Sequence, residues 1–172
     1  MADDLTSIER QVTGGRNFET PPLHLWSPSL SGDIPIVIKK DGRWFHDGSL
    51  IRRESLVRLF ASILRREDDG QYYLVTPAEK WRIEVEAHAL LVTDVERVGE
   101  SLIVTLATGR QATVGADHPL ILDPACDNVA AVRLWHGLTA LFNRNAWYRL
   151  VALAGEDLSV TSGSYRFSLD PG

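Results

Sequence analysis

Ile51-Arg52-Arg53-Glu54-Ser55-Leu56-Val57-Arg58-Leu59-Phe60-Ala61 and Phe142-Asn143-Arg144-Asn145-Ala146-Trp147-Tyr148-Arg149-Leu150-Val151-Ala152 align without a gap. The offset is 91, because Arg53 falls on Arg144 (144 − 53 = 91); Arg58 falls on Arg149, Leu59 on Leu150 and Ala61 on Ala152. Apolar positions follow the same register: Leu56, Leu59, Phe60 and Ile63 in the first stretch, Trp147, Leu150, Val151 and Ala154 in the second. Spacing of i, i+3, i+4 and i+7 puts such residues on one face of a helix. The pattern predicts one helix over residues 49–65, capped by Ser49, and a second over residues 143–154, stopped by Gly155. Burying each apolar side chain of the stripe contributes roughly 1.5–3 kcal/mol.

Outward from the first copy, residues 34–39 are β-branched and read as a strand. Asp41-Gly42 is a hairpin turn, because Gly tolerates the positive φ it needs, and residues 43–46 form the return strand. Residues 71–75 are a further strand. The second copy is followed by a closing hairpin, residues 158–161 and 165–169, around Gly163. Each copy is thus expected to be a hairpin, a helix and a strand. Between the copies lie strands at 81–86, 90–98, 101–108, 111–114 and 129–134, with Gly99-Glu100 as a hairpin signal. Near the N-terminus, residues 4–12 predict a short helix capped by Asp3 or Asp4 and ended at Gly14-Gly15, before an extended proline-rich run from Thr20 to Pro28. Thr76-Pro77-Ala78-Glu79 has the form of a capping box with proline at the first helical position and predicts a single turn of helix. Helices separated by runs of antiparallel strands indicate an α+β protein. A composition shift at residues 76–81 suggests two related halves, 1–80 and 81–172.

With 172 residues the chain can bury about 70% of its unfolded surface without metals or cross-links. Apolar residues at 44% and charged residues at 24% are globular values and argue against a largely disordered chain. A net charge of −5 repels nucleic acid polymers and anionic membranes, so neither is an expected partner. Cys126 is the single cysteine, which excludes an internal disulfide. A lone thiol without a secretory leader points to the cytoplasm, and no run approaches the roughly 20 apolar residues that insert across a bilayer.

No phosphate-binding loop, dinucleotide fingerprint or nucleophile elbow is present. His24, His46, His88, His118 and His136 are dispersed, with neither the helical His pair nor the paired cysteines of a zinc site, so no metal and no cofactor is expected; a metal site could assemble only by folding. Cys126 lies between Asp123 and Asp127, and nearby carboxylates raise a thiol pKa. Two features stand out. Arg52, Arg53 and Arg144 begin the repeated helices, where a cation opposes the macrodipole by roughly 0.3–1 kcal/mol. A bound anion would offset this, as would a protein acid. The second is Thr76-Pro77-Ala78-Glu79-Lys80-Trp81, which could line a cleft with Trp81 stacking on a planar ring, or could equally be a capped turn packed into the core. His46 and His118 are candidate polar anchors.

Some of these residues also carry a family likeness. Gly32-Asp33-Ile34, Asp41-Gly42-Arg43-Trp44-Phe45-His46-Asp47-Gly48-Ser49 with Arg53, Leu59 and Phe60, and Tyr72-Tyr73-Leu74-Val75-Thr76-Pro77-Ala78-Glu79-Lys80 resemble domain of unknown function 1285, a bacterial family. So do Asp117-His118-Pro119, Arg133 with Gly137-Leu138, and Asn143-Arg144. The likeness covers residues 22–169. It departs at Leu50, where the family has proline, and at His88-Ala89-Leu90, which replaces an acidic and phenylalanine segment. The resemblance implies a duplicated core, a C-terminal half whose antiparallel sheet is pleckstrin-homology-like, and a nucleotide-like ligand in a cleft between the halves, with a role in signal transduction.

The leading expectation is a non-catalytic module for a small anionic, nucleotide-like ligand at the interface of the halves. Arg53, Arg144 and Lys80 would hold the anion and Trp81 would stack, while His46, Ser49, Thr76, Glu79 and His118 would orient the ligand. The alternatives are a protein–protein adaptor, docking peptides at a sheet edge, and an enzyme using Glu79 with His46 or His118 as acid and base.

Overall fold

The computed structural model describes residues 2–13 and 21–172. The expected helix stop at Gly14-Gly15 and the start of the extended run at Thr20 lie outside the described residues, and the capping side chains of Asp3 and Asp4 are likewise not described. The chain divides into two compact units, Met1–Ala87 and His88–Gly172. The expected boundary between Lys80 and Trp81 falls inside a strand that completes the first sheet, and the division comes seven residues later.

In the N-terminal unit, helix α1 (Ala2–Thr13) precedes strands β1 (Gly32–Ile38), β2 (Trp44–His46) and β3 (Ser49–Leu50). Helix α2 (Glu54–Ser62) and strands β4 (Leu64–Arg66), β5 (Tyr72–Val75) and β6 (Lys80–Val85) follow. The sheet runs β3-β2-β1-β6-β5-β4. Along β1, Ile34, Ile36 and Ile38 are buried at every second position, as one buried face of a strand requires. Two successive Asp-Gly turns fold this region. Asp41-Gly42 joins β1 to β2, as expected. Asp47-Gly48, with φ of 51° and 81°, joins β2 to β3, and His46 pairs with Ser49 across it. Positive φ at both central residues is the primed hairpin turn that Asp-Gly favours. That turn draws Ser49 and Leu50 into the sheet, so α2 starts at Glu54 and Ser49 is no cap. Arg53 occupies the cap position and makes no side-chain capping bond. At the other end Ile63 leaves helical geometry (φ −112°, ψ 10°), and Leu64, expected in the helix, pairs with Leu74 in the sheet.

β1 and β6 are parallel, from Gly32 beside Trp81 to Ile38 beside Val85. Gly32, packed beside the Trp81 ring, has a φ of +147°, which side-chain-bearing residues rarely adopt, so this strand start favours glycine. Thr76 to Glu79 form the β5–β6 turn rather than a helical turn. Thr76 Oγ1 accepts from the Glu79 N–H (2.9 Å), as in a capping box, but the Thr76 N–H donates to the Glu79 carbonyl, closing a hairpin.

The C-terminal unit holds β7 (Leu90–Val98), β8 (Ser101–Leu106), β9 (Gln111–Thr113), β10 (Leu120–Asp123), β11 (Val129–Arg133) and β12 (Thr139–Phe142). Helix α3 (Arg144–Leu153) and a separate hairpin, β13 (Ser159–Ser162) with β14 (Tyr165–Ser168), complete it. β10 and β12 have no counterpart among the strands expected from the sequence. The sheet runs β10-β11-β12-β7-β8-β9. It is mixed rather than antiparallel throughout, because β12 pairs parallel with β7. α3 is capped by Asn143, whose Oδ1 accepts from the Ala146 N–H at 2.9 Å. Its buried residues are Ala146 and Leu150, whereas Val151 of the expected stripe is exposed.

The halves are therefore similar, and the protein is α+β. In each, two three-stranded meanders meet where the first strand lies parallel to the sixth. Counterpart strands start about 58 residues apart (90 − 32 = 58 for β7 and β1; 139 − 80 = 59 for β12 and β6). The helices do not keep that register. α2 lies between the third and fourth strands of its sheet, whereas α3 follows the sixth. The 91-residue offset matches two helices that occupy different places in the strand order, so the expected hairpin-helix-strand unit is not what repeats.

Candidate functional site

The expected site residues divide between the units. His46, Ser49, Arg53, Thr76, Glu79, Lys80 and Trp81 belong to the first; His118 and Arg144 belong to the second. In the first, Thr76, Glu79 and Trp81 do come together, and α1 meets them. Glu79 accepts from Gln11 Nε2 at 2.8 Å and from Ser7 Oγ at 3.3 Å, and Trp81 Nε1 lies 3.5 Å from the same carboxylate. The buried Thr76 hydroxyl donates to Gln11 Oε1 at 2.5 Å. Lys80 turns elsewhere: its Nζ lies 2.6 Å from Glu67 Oε1 and 4.5 Å from the Tyr73 ring centroid, while Arg65 takes the other Glu67 oxygen at 2.5 Å. Burial pushes the Glu67 carboxyl up, but hydrogen bonds from Lys80 and Arg65 outweigh it and hold the pKa below its ordinary value. Arg53, at the start of α2, pairs with Glu9 at 2.7 Å, so a protein acid offsets the cation there. Ser49 is exposed in β3, and His46 Nε2 is a buried nitrogen without a hydrogen-bond partner.

In the second unit, Arg144 Nε donates to the Tyr148 hydroxyl at 3.1 Å, one helical turn on, with the guanidinium 5.6 Å from that ring. His118 lines an open pocket of about 640 Å³ with Arg110, Gln111, Gly115, Asp117 and Trp135. The β8–β9 hairpin forms one wall; its turn carries Arg110, whose carbonyl accepts from the Leu106 N–H at 2.8 Å. Trp135 begins a tight turn in which His136 takes a positive φ of 55°. The Arg110 guanidinium lies 3.5 Å from the centroid of the Trp135 ring, and the His118 ring meets the same indole edge-on at 5.8 Å. His118 Nδ1 is 3.2 Å from the Arg133 carbonyl oxygen. Burial holds the Arg110 pKa below its ordinary value, and no carboxylate among the described residues lies within ion-pairing distance of it. An arginine on an aromatic face keeps its outer donors for an anion. Sequence reasoning missed Arg110 and Trp135 because 25 residues separate them; only the Asp117-His118 stretch pointed here.

A second cluster lies in the same unit. His88, Asp123 and Cys126 place ligand-capable atoms within 4.8 Å of one another. His88 Nε2 is 2.6 Å from Asp123 Oδ2, and its Nδ1 is 2.7 Å from Thr139 Oγ1. Asp123 Oδ1 accepts from the Ala125 N–H at 2.9 Å. The hydrogen bond from His88, helped by those from Ala125 and Cys126 and opposed by burial, keeps the Asp123 carboxyl below its ordinary pKa.

Comparison with known proteins places both units. A family model described as the N-terminal domain of DUF1285, a domain of unknown function, matches residues 21–89, and one described as the DUF1285 C-terminal domain matches residues 89–169. The chain belongs to the DUF1285 family. The meeting point of the two matches lies within two residues of the division after Ala87. A crystal structure of a DUF1285 family protein from Silicibacter pomeroyi DSS-3 is 34% identical, with a TM-score of 0.76 over 95% of this chain and 90% of that one. A DUF1285 family protein from Shewanella baltica OS155 is 32% identical, with a TM-score of 0.59 over 68% of this chain and 90% of that one. No curated protein matches the chain. Among the described residues no helix is long and apolar enough to cross a membrane.

Proposed function

We propose that this DUF1285 protein is a non-catalytic binding module for a small anionic, nucleotide-like ligand in signal transduction, and that the anion is held in the C-terminal unit. The observation that carries the reading is Arg110: a guanidinium stacked on Trp135 at the rim of a pocket, with no carboxylate among the described residues in ion-pairing distance. Stacking fixes the guanidinium plane in advance, so less side-chain freedom is lost on binding. Its free edge offers parallel donors to a phosphate or carboxylate. His118 and Gln111 line the same pocket and are suited to orient the bound group. The expected pleckstrin-homology likeness of the C-terminal half would favour binding over catalysis, but the parallel β7–β12 pair departs from it. Glu79 is hydrogen-bonded to Ser7 and Gln11 in the β5–β6 turn, which supports a structural rather than an acid–base role for it.

Titration with inorganic phosphate and with adenosine monophosphate, followed by tryptophan fluorescence and calorimetry, tests the reading. Saturable binding is expected, weakened at least tenfold in Arg110→Gln with an unchanged far-UV spectrum. Wild-type protein that binds neither probe, or an Arg110→Gln protein that binds equally well, overturns it. Isolation of the native protein with a protein partner and no small molecule would favour an adaptor instead.

A further inference from the structure

The geometry points to a zinc-class metal site formed by His88 Nε2, Asp123 Oδ2 and Cys126 Sγ, with a fourth position left for water. Three observations converge on it. Imidazole, carboxylate and thiolate together are a ligand set that suits zinc over magnesium or calcium, which take oxygen ligands. The three atoms come from the residues leading into β7, from the end of β10 and from the turn after it, and they lie within 4.8 Å of one another. Two of the ligands are also oriented from behind. Thr139 Oγ1 engages His88 Nδ1 and so turns Nε2 toward the cluster. The Ala125 N–H holds Asp123 Oδ1 and so leaves Oδ2 facing it. Outer partners of this kind fix the ring and carboxylate orientation of metal ligands.

Charge and space are both favourable. His88 and Cys126 are buried and Asp123 is partly exposed, which leaves a way in for the ion. Neutral imidazole, one carboxylate and one thiolate bring two negative charges to a divalent cation, so the filled site carries no net charge and suits a buried position. Binding releases the thiol proton, while the neutral His88 imidazole keeps its one proton on Nδ1 facing Thr139, and the affinity therefore rises with pH. Zinc bonds of about 2.0–2.3 Å hold ligand atoms roughly 3.3–3.7 Å apart in a tetrahedron. The Nε2–Oδ2 pair must open from 2.6 Å by some tenths of an ångström, which a rotation of either side chain supplies.

The test uses the full chain, stripped of metal by a chelator and titrated with cobalt(II). A near-ultraviolet thiolate-to-cobalt band saturating at one ion per chain is expected, together with its stoichiometric loss when zinc is added. Cys126→Ser, which leaves the His88–Asp123 pair in place, should abolish the band, and Asp123→Asn and Thr139→Val should each weaken zinc binding at least tenfold. Far-UV spectra check that the variants fold. If Cys126→Ser does not fold, the wild type still decides: zinc must protect the thiol from alkylation. The site is refuted by a wild type with no thiolate band, by a band that persists in Cys126→Ser, or by a thiol alkylated equally fast with and without zinc.

Discussion

The N-terminal and C-terminal sheets have the same strand order and different helix positions. Both place their first strand parallel to their sixth, yet α2 interrupts the first sheet between its meanders and α3 follows the second. Strand order is dictated by tight turns and by the meeting of two meanders, so it survives extensive change in sequence. A helix needs only an apolar face to lay against a sheet, so its place in the order is less constrained. Both units pair cations with acids. In the first, Arg53, Arg65, Lys80 and Arg82 each have a carboxylate partner. In the second, Arg149 pairs with Asp94 and Arg166 with Asp157, whereas Arg110 rests on Trp135 at a pocket. The proposed anion site therefore rests on Arg110 in the second unit, although most of the expected site residues lie in the first.

The largest effect that probes this comparison is loss of core from each helix. Phe60 of α2 is fully buried, and Phe60→Ala should cost about 3–5 kcal/mol. Leu150→Ala in α3, a helix with fewer buried residues, should cost nearer 2–3 kcal/mol. Urea denaturation measures both, and a larger loss at Leu150 would reverse the ranking of the two helices.

Next comes the charge contrast. Glu67→Gln removes the acid between Arg65 and Lys80, whose side chains are only 17% exposed, and should cost about 1–3 kcal/mol at neutral pH. The folded-state pKa of Glu67 lies below its ordinary 4.5, so its contribution is complete above about pH 4.5 and is lost as pH falls through the folded value. Stability curves of wild type and variant should therefore converge in acid. A gap that stays constant down to that range would show the carboxylate's charge to be irrelevant.

The smallest effect concerns the two helix starts. Asn143→Ala removes the α3 cap and should cost about 1 kcal/mol. Ser49→Ala should change stability by less than about 0.5 kcal/mol, because Ser49 is an exposed strand residue. Thermal unfolding of the pair distinguishes cap from strand, and equal losses would return Ser49 to a capping role.

Much of this was legible in the sequence because it is local. The β-branched run of β1, the Asp41-Gly42 turn and the long β7–β8 hairpin depend on neighbours a few residues apart. The limits of α2 were misread for an equally local reason: Asp47-Gly48 is a hairpin signal as strong as Asp41-Gly42, and weighing it would have placed Ser49 in a strand. Thr76, Glu79 and Trp81 are neighbours in sequence; their union with Ser7 and Gln11 is not legible there.

Composition, periodicity and turn chemistry determined an α+β chain, since hydrogen-bonding geometry and apolar spacing act within a few residues; how its halves correspond lies in their shared strand order. Only the tertiary structure decided which strands meet in parallel, which arginines find an acid, and that Arg110 and Trp135, or His88, Asp123 and Cys126, stand side by side. Those outcomes depend on sheet pairing between distant segments, and no local pattern encodes a contact that closes over tens of residues.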